Sequence, residues 1–369
     1  MREQQPHFTA EDHRWMAHAH RLAAKGLFTT DPNPRVGCVL VKAGEKVGEG
    51  YHIEAGGPHA EIHALQDAGS AAEGATAYVT LEPCSHYGRT PPCCDTLIAA
   101  KVSRVVIALE DPNPAVSGNG IRKLQAAGIE VSSGLLGEET ERLNPGFLKR
   151  MRSGTPYLRL KMAQSLDGRT AMASGESQWI TGPAARKDVQ RLRARSSAIL
   201  TGIGTVLADD PSLNVRELEQ PFRTPLRIVV DPSAKTPVDA KLFTIDGPIL
   251  MVVAEGAVVP AAWKAVTSLT VMSVPRTKQG IDLAQLMQQL GAEGINEIHV
   301  EVGATLAGSL VDAALVDELV VYTAPLLMGS SGRPLLQLPL EKMAEKKRLH
   351  VVDQRTVGED WRLVALIQS

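Results

Sequence analysis

Two short stretches hold the residues best suited to chemistry. Gly57-Pro58-His59-Ala60-Glu61 offers an imidazole and a carboxylate, and Cys84 and Cys93 offer two thiols. Thiolate sulfur and imidazole nitrogen are ligands for Zn2+, and a zinc site that does chemistry takes three protein ligands and leaves one position to water. His59, Cys84 and Cys93 supply that set. Zinc lowers the pKa of its bound water to about 7, which makes hydroxide available at neutral pH. Glu61 is then free to move protons, from that water and on to a leaving amine. Other readings fit less well. His59 and His63 are four apart, but a zinc-protease helix needs Glu directly after its first His, and Ala60 stands there. A closed structural zinc needs a fourth ligand; Cys94 is adjacent to Cys93, so the two point apart. A Cys84–Cys93 disulfide needs an oxidising compartment.

Helix starts must present these groups. Gly56-Gly57-Pro58 marks one, opening the helix that carries His59 and Glu61. Cys93 opens the apolar run 94–100, which reads as another. A thiolate at a helix N-terminus is stabilised, which favours metal binding. Ahead of them, residues 9–25 read as a helix with Thr9 and Asp12 as a capping box. Strands are expected at 36–41, 46–52, 75–81, 102–109 and 129–132, and a helix at 120–127. Cys38, inside the first strand, reads as core. Residues 138–150 look helical with a break at Pro145, and 152–156 read as a linker. A second alternating series follows. Its strands are expected at 157–163, 198–201, 226–230, 249–253, 297–302, 318–324, 349–352 and 361–367, and its helices at 183–196, 283–290 and 305–315. Alternation of this kind predicts α/β layering in two three-layer domains, 1–152 and 153–369. The halves do not repeat each other's motifs, so fusion rather than duplication is expected.

Composition narrows the partners. The chain is 369 residues long, 44% hydrophobic and 22% charged, ordinary for a globular protein of two domains. Residues 1–150 carry a net charge of −3 and the remainder +1. Neither half is a basic footprint, and an aromatic fraction of 4% leaves few stacking platforms, so no nucleic-acid partner is expected. No stretch reaches the apolar length of a membrane span, and the N-terminus lacks a signal-peptide core. A reducing cytoplasm, where thiols stay free, is the expected setting.

The second half has no cysteine. It does have turns suited to anions: Gly202-Ile203-Gly204-Thr205 after one strand, and 301–308 as strand, tight turn and helix start. The full G-x-G-x-x-G dinucleotide fingerprint is absent. Arg186, Arg191, Arg193 and Arg195 share one helix; a phosphate ester would need one or two of them turned inward with bidentate geometry.

The H-x-E…P-C arrangement resembles the signature of zinc nucleobase deaminases, in which the Glu is not a ligand. One departure is informative. Eight residues separate the cysteines here, against the usual two, and that loop carries His86, Arg89 and Thr90, groups suited to a polar, phosphorylated small molecule. Over nearly its whole length the chain resembles the bifunctional riboflavin-biosynthesis deaminase/reductase family of bacteria. The motifs are His59-Ala60-Glu61, Pro83 to Cys93, Lys161-Met162-Ala163-Gln164-Ser165-Leu166-Asp167-Gly168, Gly175 to Thr181, Gly204 to Pro211 and Glu301-Val302-Gly303. The resemblance implies a cytidine-deaminase-like N-terminal fold and a dihydrofolate-reductase-like C-terminal fold. It implies removal of the 2-amino group of 2,5-diamino-6-(5-phosphoribosylamino)pyrimidin-4-one, then NADPH-dependent reduction of the ribosyl chain to give 5-amino-6-(5-phosphoribitylamino)uracil. It assigns zinc to His59, Cys84 and Cys93, proton transfer to Glu61, and the pyrimidine to Asn33, His52 and His86. In the reductase it assigns NADP to Ala163, Trp179, Thr205, Ser233 and the run Gly303, Ala304, Thr305, Leu306, Ala307, Gly308 and Ser309. Ser177, Arg193, Asp209, Leu213, Arg216 and Glu301 take the substrate, and Lys161 polarises the reacting ribose. A homo-oligomer, dimer or tetramer, is expected. Val302 replaces the smaller residue expected there and would crowd the cofactor phosphate.

Three rivals make different predictions. A nucleic-acid base deaminase with an appended non-catalytic domain needs salt-sensitive RNA or DNA binding. A zinc-stabilised binding module would be indifferent to Glu61→Gln. A deaminase with a dead second half would not oxidise NADPH.

Overall fold

The computed structural model describes residues 8–85, 91–113, 117–278 and 280–368. Chain contacts divide it into two compact units, Met1–Gly154 and Thr155–Ser369.

In the first unit the elements run α1 (Ala10–Ala23), β1 (Gly37–Lys42), β2 (Glu45–Tyr51), α2 (Ala60–Ala68), β3 (Thr76–Val79), α3 (Cys93–Ala99), β4 (Arg104–Ile107), α4 (Asn119–Ala126), β5 (Glu130–Ser133), α5 (Gly137–Leu143) and α6 (Pro145–Ser153). Thr9 and Asp12 form the expected capping box at α1. The sheet order is β2-β1-β3-β4-β5. β1 is antiparallel to both neighbours, and β3, β4 and β5 are parallel. Successive strand side chains face opposite ways, so one sheet has two apolar faces. Cys38, Leu40, Ala77, Val79, Val105 and Ile107 pack with Ala60 and Ala64 of α2, Leu97 of α3 and Leu124 of α4. Val39, Val41, Tyr78 and Val106 pack against Trp15, Met16, Ala19 and Leu22 of α1. Three layers result, and Cys38 is core, as expected. Gly50 fixes where α2 begins: a Cβ there would lie 2.5 Å from the Ala60 carbonyl oxygen. That close approach seats the helix start, with His59, on β2.

One boundary differs. α6 runs through Ser153 and turns at Gly154, whose φ of 73° suits glycine, so Arg152 and Ser153 are helical rather than linker.

The second unit contains β6 (Tyr157–Ser165), β7 (Arg169–Ala171), α7 (Pro183–Ala194), β8 (Ala198–Gly202), α8 (Ile203–Asp209), β9 (Leu226–Val230), β10 (Ile249–Ala254), β11 (Leu269–Val274), β12 (Arg276–Thr277), β13 (Gly280–Ile281), α9 (Leu283–Ala292), β14 (Glu297–Val300), α10 (Ala304–Asp312), β15 (Glu318–Ala324), β16 (Arg333–Pro334), β17 (Arg348–Val357) and β18 (Asp360–Gln368). Nine strands form one sheet, ordered β11-β10-β9-β8-β14-β6-β15-β18-β17. The seven from β11 to β15 are parallel, and the last hairpin is antiparallel. One face packs on α9 and α10 through Leu286, Leu290, Ala307 and Leu310. The other meets Val206 of α8, with Leu213 and Trp263, and Val189 of α7.

The sequence reading missed β11 and shortened β17 to 349–352. Both lie at sheet edges and are largely exposed, so their residues carry no clean apolar alternation. A bulge between Val351 and Asp353 also breaks the period of β17. Gly202-Ile203-Gly204-Thr205 is the start of α8 rather than an open turn. Among the described residues, no helix is long and apolar enough to cross a membrane.

Candidate metal centre and a second polar site

His59 is the N-cap of α2, with extended φ −75° and ψ 166°, so its ring leaves the helix axis while Glu61 enters the first turn. Cys93 is the first residue of α3. Cys84 lies past the end of β3, where its carbonyl accepts the Cys94 N–H at 3.2 Å. Nδ1 of His59 is 3.2 Å from Cys93 Sγ and 3.6 Å from Cys84 Sγ. All three ligand atoms lie within 4.8 Å of one another. Zinc bonds of about 2.3 Å to sulfur and 2.0–2.1 Å to nitrogen, set at the tetrahedral angle, require N···S edges of about 3.5 Å. The two N···S distances are within about 0.3 Å of that edge, so the trio is spaced as zinc ligands. Cys94 turns its thiol to the Pro83 carbonyl at 3.2 Å, and neither it nor His63 joins the trio among the described residues.

The electrostatics suit deprotonated sulfur. The hydrogen bond from Cys93, with others from His59 and the Cys93 N–H at 3.3 Å, holds the Cys84 thiol well below its ordinary pKa. The Cys93 proton is correspondingly retained, since it serves that bond in a buried place. A soft dication displaces such a shared proton. Glu61 is 3% exposed, and burial raises its pKa, partly offset by His59. A carboxyl that holds its proton more readily is suited to passing one on. His52 packs edge-on to His59 at 5.5 Å between ring centroids. Its Nδ1 faces the Pro58 carbonyl at 3.0 Å, and its buried Nε2 has no protein partner. Asn33 is half-buried and donates its N–H to the Thr30 carbonyl. His86 lies outside the described residues.

The second unit gathers a different set. Arg193 is turned inward, 9% exposed, and grips Glu301 with both prongs, Nε to Oε1 at 2.6 Å and Nη2 to Oε2 at 2.9 Å. Its Nη1 donates to the Asn214 carbonyl at 2.8 Å. The bidentate geometry expected toward phosphate is thus already spent on a carboxylate. Burial would push the Glu301 carboxyl up, but the adjacent Arg193 holds it well below the ordinary range. His299, fully buried two residues earlier on β14, places Nε2 3.1 Å from Glu301 Oε1. Residues i and i+2 of a strand share a face, so His299 was readable from sequence once Glu301 was singled out; we assign it to this cluster. Burial lowers the pKa of Lys161, on β6, while Glu301 opposes that shift and Arg193 adds to it.

The remaining expected positions are scattered in exposure. Ser177 Oγ donates to Asp209 Oδ1 at 3.5 Å. Trp179 is 67% exposed and lies under the Arg186 guanidinium at 4.7 Å. Ala163 is half-buried in β6, Thr205 is in the first turn of α8, and Ser233 is exposed in a turn after β9. Arg216 is exposed and donates its backbone N–H to Gln190. Gly303 caps α10, where Ala304 is buried and Thr305 exposed. Four residues singled out above lie in the packed interior. Leu213 is buried in the core at a left-handed φ of 48°, so its side chain is packing. Ala307 is fully buried, and a Cβ on Gly308 would lie 1.9 Å from the Gln337 carbonyl oxygen; neither is open to a ligand. Val302 packs into the core.

A two-sulfur, one-nitrogen trio beside a buried carboxylate, in an α/β unit joined to a second α/β unit, defines a zinc-type deaminase fused to another enzyme. Residues 9–109 match the cytidine and deoxycytidylate deaminase zinc-binding region, and residues 156–363 match the RibD C-terminal domain. The riboflavin biosynthesis protein RibD of Escherichia coli is 55% identical over 363 residues, covering 95% of this chain and 98% of that one. That of Haemophilus influenzae is 50% identical, covering 96% and 97%. The solved structure of Acinetobacter baumannii RibD superposes with a TM-score of 0.90 at 45% identity, covering 97% and 99%. A diaminohydroxyphosphoribosylaminopyrimidine deaminase/5-amino-6-(5-phosphoribosylamino)uracil reductase of Thermotoga maritima gives 0.86 at 32%, with the same coverage. The chain belongs to the RibD family of riboflavin biosynthesis. It is a bifunctional enzyme, a deaminase and a reductase, with a zinc-binding deaminase domain and a reductase domain that implies a nicotinamide cofactor.

Proposed function

We propose that the first unit, 1–152 by sequence, hydrolyses the 2-amino group from 2,5-diamino-6-(5-phosphoribosylamino)pyrimidin-4-one. The second, 153–369, then reduces the ribosyl chain with NADPH to give 5-amino-6-(5-phosphoribitylamino)uracil. The observation that supports this reading most is the spacing of His59, Cys84 and Cys93 with Glu61 buried beside them. In this reading His59, Cys84 and Cys93 hold zinc, which when bound supplies a water acidic enough to attack at neutral pH. Glu61 accepts a proton from water and delivers one to the departing nitrogen, so water is consumed and ammonia released. His52 offers its unpartnered Nε2, and Asn33 and His86 complete the hold on the pyrimidine.

In the second unit the cofactor, when bound, supplies hydride to C1′ of the opened sugar. Lys161 stands against the ribose and polarises it, and Glu301 and Arg193 orient the hydroxyls as a rigid pair. Ser177, Asp209 and Arg216 reach the substrate from the exposed rim, with Leu213 contributing backbone only. Ala163, Trp179, Thr205, Ser233 and the α10 start at Gly303, Ala304, Thr305 and Leu306, with Ser309 on its flank, receive the cofactor; the N-terminus of α10 suits its phosphate. The enzyme works in the cytoplasm as a homo-oligomer. Purified protein incubated with the diaminopyrimidine phosphate, with and without NADPH, tests both reactions by mass spectrometry. Deaminated product alone is expected without NADPH, and deaminated, reduced product with it. Unchanged substrate in both would defeat the reading.

A further inference from the structure

Glu82 stands two residues before the ligand Cys84 and is 4% exposed. Its carboxylate accepts four backbone N–H groups. Oε2 takes those of Asp111 at 3.2 Å and Gly118 at 3.0 Å; Oε1 takes those of Gly120 at 2.9 Å and Ile121 at 3.2 Å. Its own N–H donates to the Leu109 carbonyl at 2.9 Å. The N-terminus of α4, whose first turn would otherwise hold unsatisfied donors, is thereby fastened to the peptide that leads into Cys84. The fit is tight. A Cβ on Gly120 would lie 2.3 Å from the Pro83 carbonyl oxygen, 3.0 Å from Glu82 Oε1 and 3.1 Å from Cys94 Sγ. Cys94 closes the same knot, since its thiol donates to Pro83 O and its N–H to Cys84 O.

Only a carboxylate has acceptor capacity at both oxygens for four donors; an amide would turn an NH2 group into two of them. Groups behind metal ligands set the ligands' orientation, and losing such a group typically costs about 10–100-fold in metal affinity or activity. We infer that Glu82 is a positioning residue for the metal centre: it anchors Pro83–Cys84 to the start of α4 and so fixes where the Cys84 sulfur meets His59 and Cys93. The inference rests on the reading of His59, Cys84 and Cys93 as metal ligands.

The test uses the full chain and Glu82→Gln, with Glu82→Asp as a second variant that keeps the charge but shortens the reach. Zinc affinity is measured by competition with a chromophoric chelator, and the visible spectrum is recorded with Co2+ in place of zinc. Far-ultraviolet circular dichroism checks folding of each protein. Zinc binding is expected to weaken about 10–100-fold in folded Glu82→Gln, with altered cobalt–thiolate bands and a smaller loss in Glu82→Asp. If the Gln variant does not fold, the Asp variant carries the same two readings. Parent-like zinc affinity and an unchanged cobalt spectrum in a folded variant would overturn the inference while leaving the metal site intact. A parent protein that binds neither metal would instead overturn the site reading, and this inference with it.

Discussion

In the first unit, reactive groups 34 residues apart or closer meet at two helix starts and the end of one strand. In the second, Arg193 and Glu301 meet across 108 residues, and Lys161 and His299 join them from two parallel strands. The first arrangement brings an imidazole and two thiols to the spacing of zinc ligands. The second sets a half-buried lysine in the field of an ion pair and depends on partners for its reactivity. A metal site must meet bond lengths within tenths of an ångström, so its residues are held by backbone at helix and strand termini. A site that chiefly positions two bound molecules tolerates contributions from the whole width of a sheet.

That contrast should appear first in metal loss. Cys93→Ser removes a thiolate from a three-ligand set. The expected outcome is protein purified without stoichiometric zinc and without ammonia release, by elemental analysis and an ammonia-coupled assay; reductase turnover of the deaminated intermediate is retained. Retained zinc would show that Cys93 is not a ligand. Next in size is Arg193→Met. It leaves the half-buried Glu301 without its guanidinium, a loss below the roughly 3–5 kcal/mol of breaking a fully buried pair. Thermal unfolding of the second unit should shift downward, with reductase activity lost and deamination kept.

A smaller effect is expected from pH. Burial lowers the Lys161 pKa, so its ammonium, present below that pKa, is lost as pH rises through a point below the ordinary 10.5. Reductase kcat/KM should therefore fall on the alkaline side below pH 10.5, a limb that Lys161→Met removes. A profile whose alkaline limb survives the substitution assigns the titration elsewhere. The smallest change is expected for His299→Gln. It loosens one of several contacts on Glu301, costing about 0.5–1.5 kcal/mol, read as a severalfold rise in KM for the reductase substrate with deamination untouched.

The same contrast explains what could be read from the sequence. His59, Glu61, Cys84 and Cys93 announce themselves because ligand chemistry restricts residue types and the helix starts carry local signals, Gly56-Gly57-Pro58 for one. The core strands were legible where burial on both faces gives a continuous apolar run, as in 249–253. Arg193 was one of four arginines on its helix, singled out by the resemblance alone, and its partner was not legible: that depends on how α7 packs beside β14. Leu213 is the converse case. Its left-handed backbone and buried side chain are set by tertiary packing, and nothing in the local sequence marks either. Glu82 was visible only as a neighbour of Pro83, since its four donors arrive from residues 111–121.

One chain is expected to house two separable reactions, the first dependent on Glu61 and the second on Lys161. Glu61→Gln and Lys161→Met, each assayed for ammonia release from the diaminopyrimidine phosphate and for NADPH oxidation with the deaminated intermediate, test it directly. A crossed pattern is expected: Glu61→Gln loses about 10²–10⁴-fold in ammonia release yet oxidises NADPH normally and keeps its zinc, while Lys161→Met loses NADPH oxidation and releases ammonia normally. Loss of both activities in either folded variant, or full ammonia release by Glu61→Gln, would contradict it.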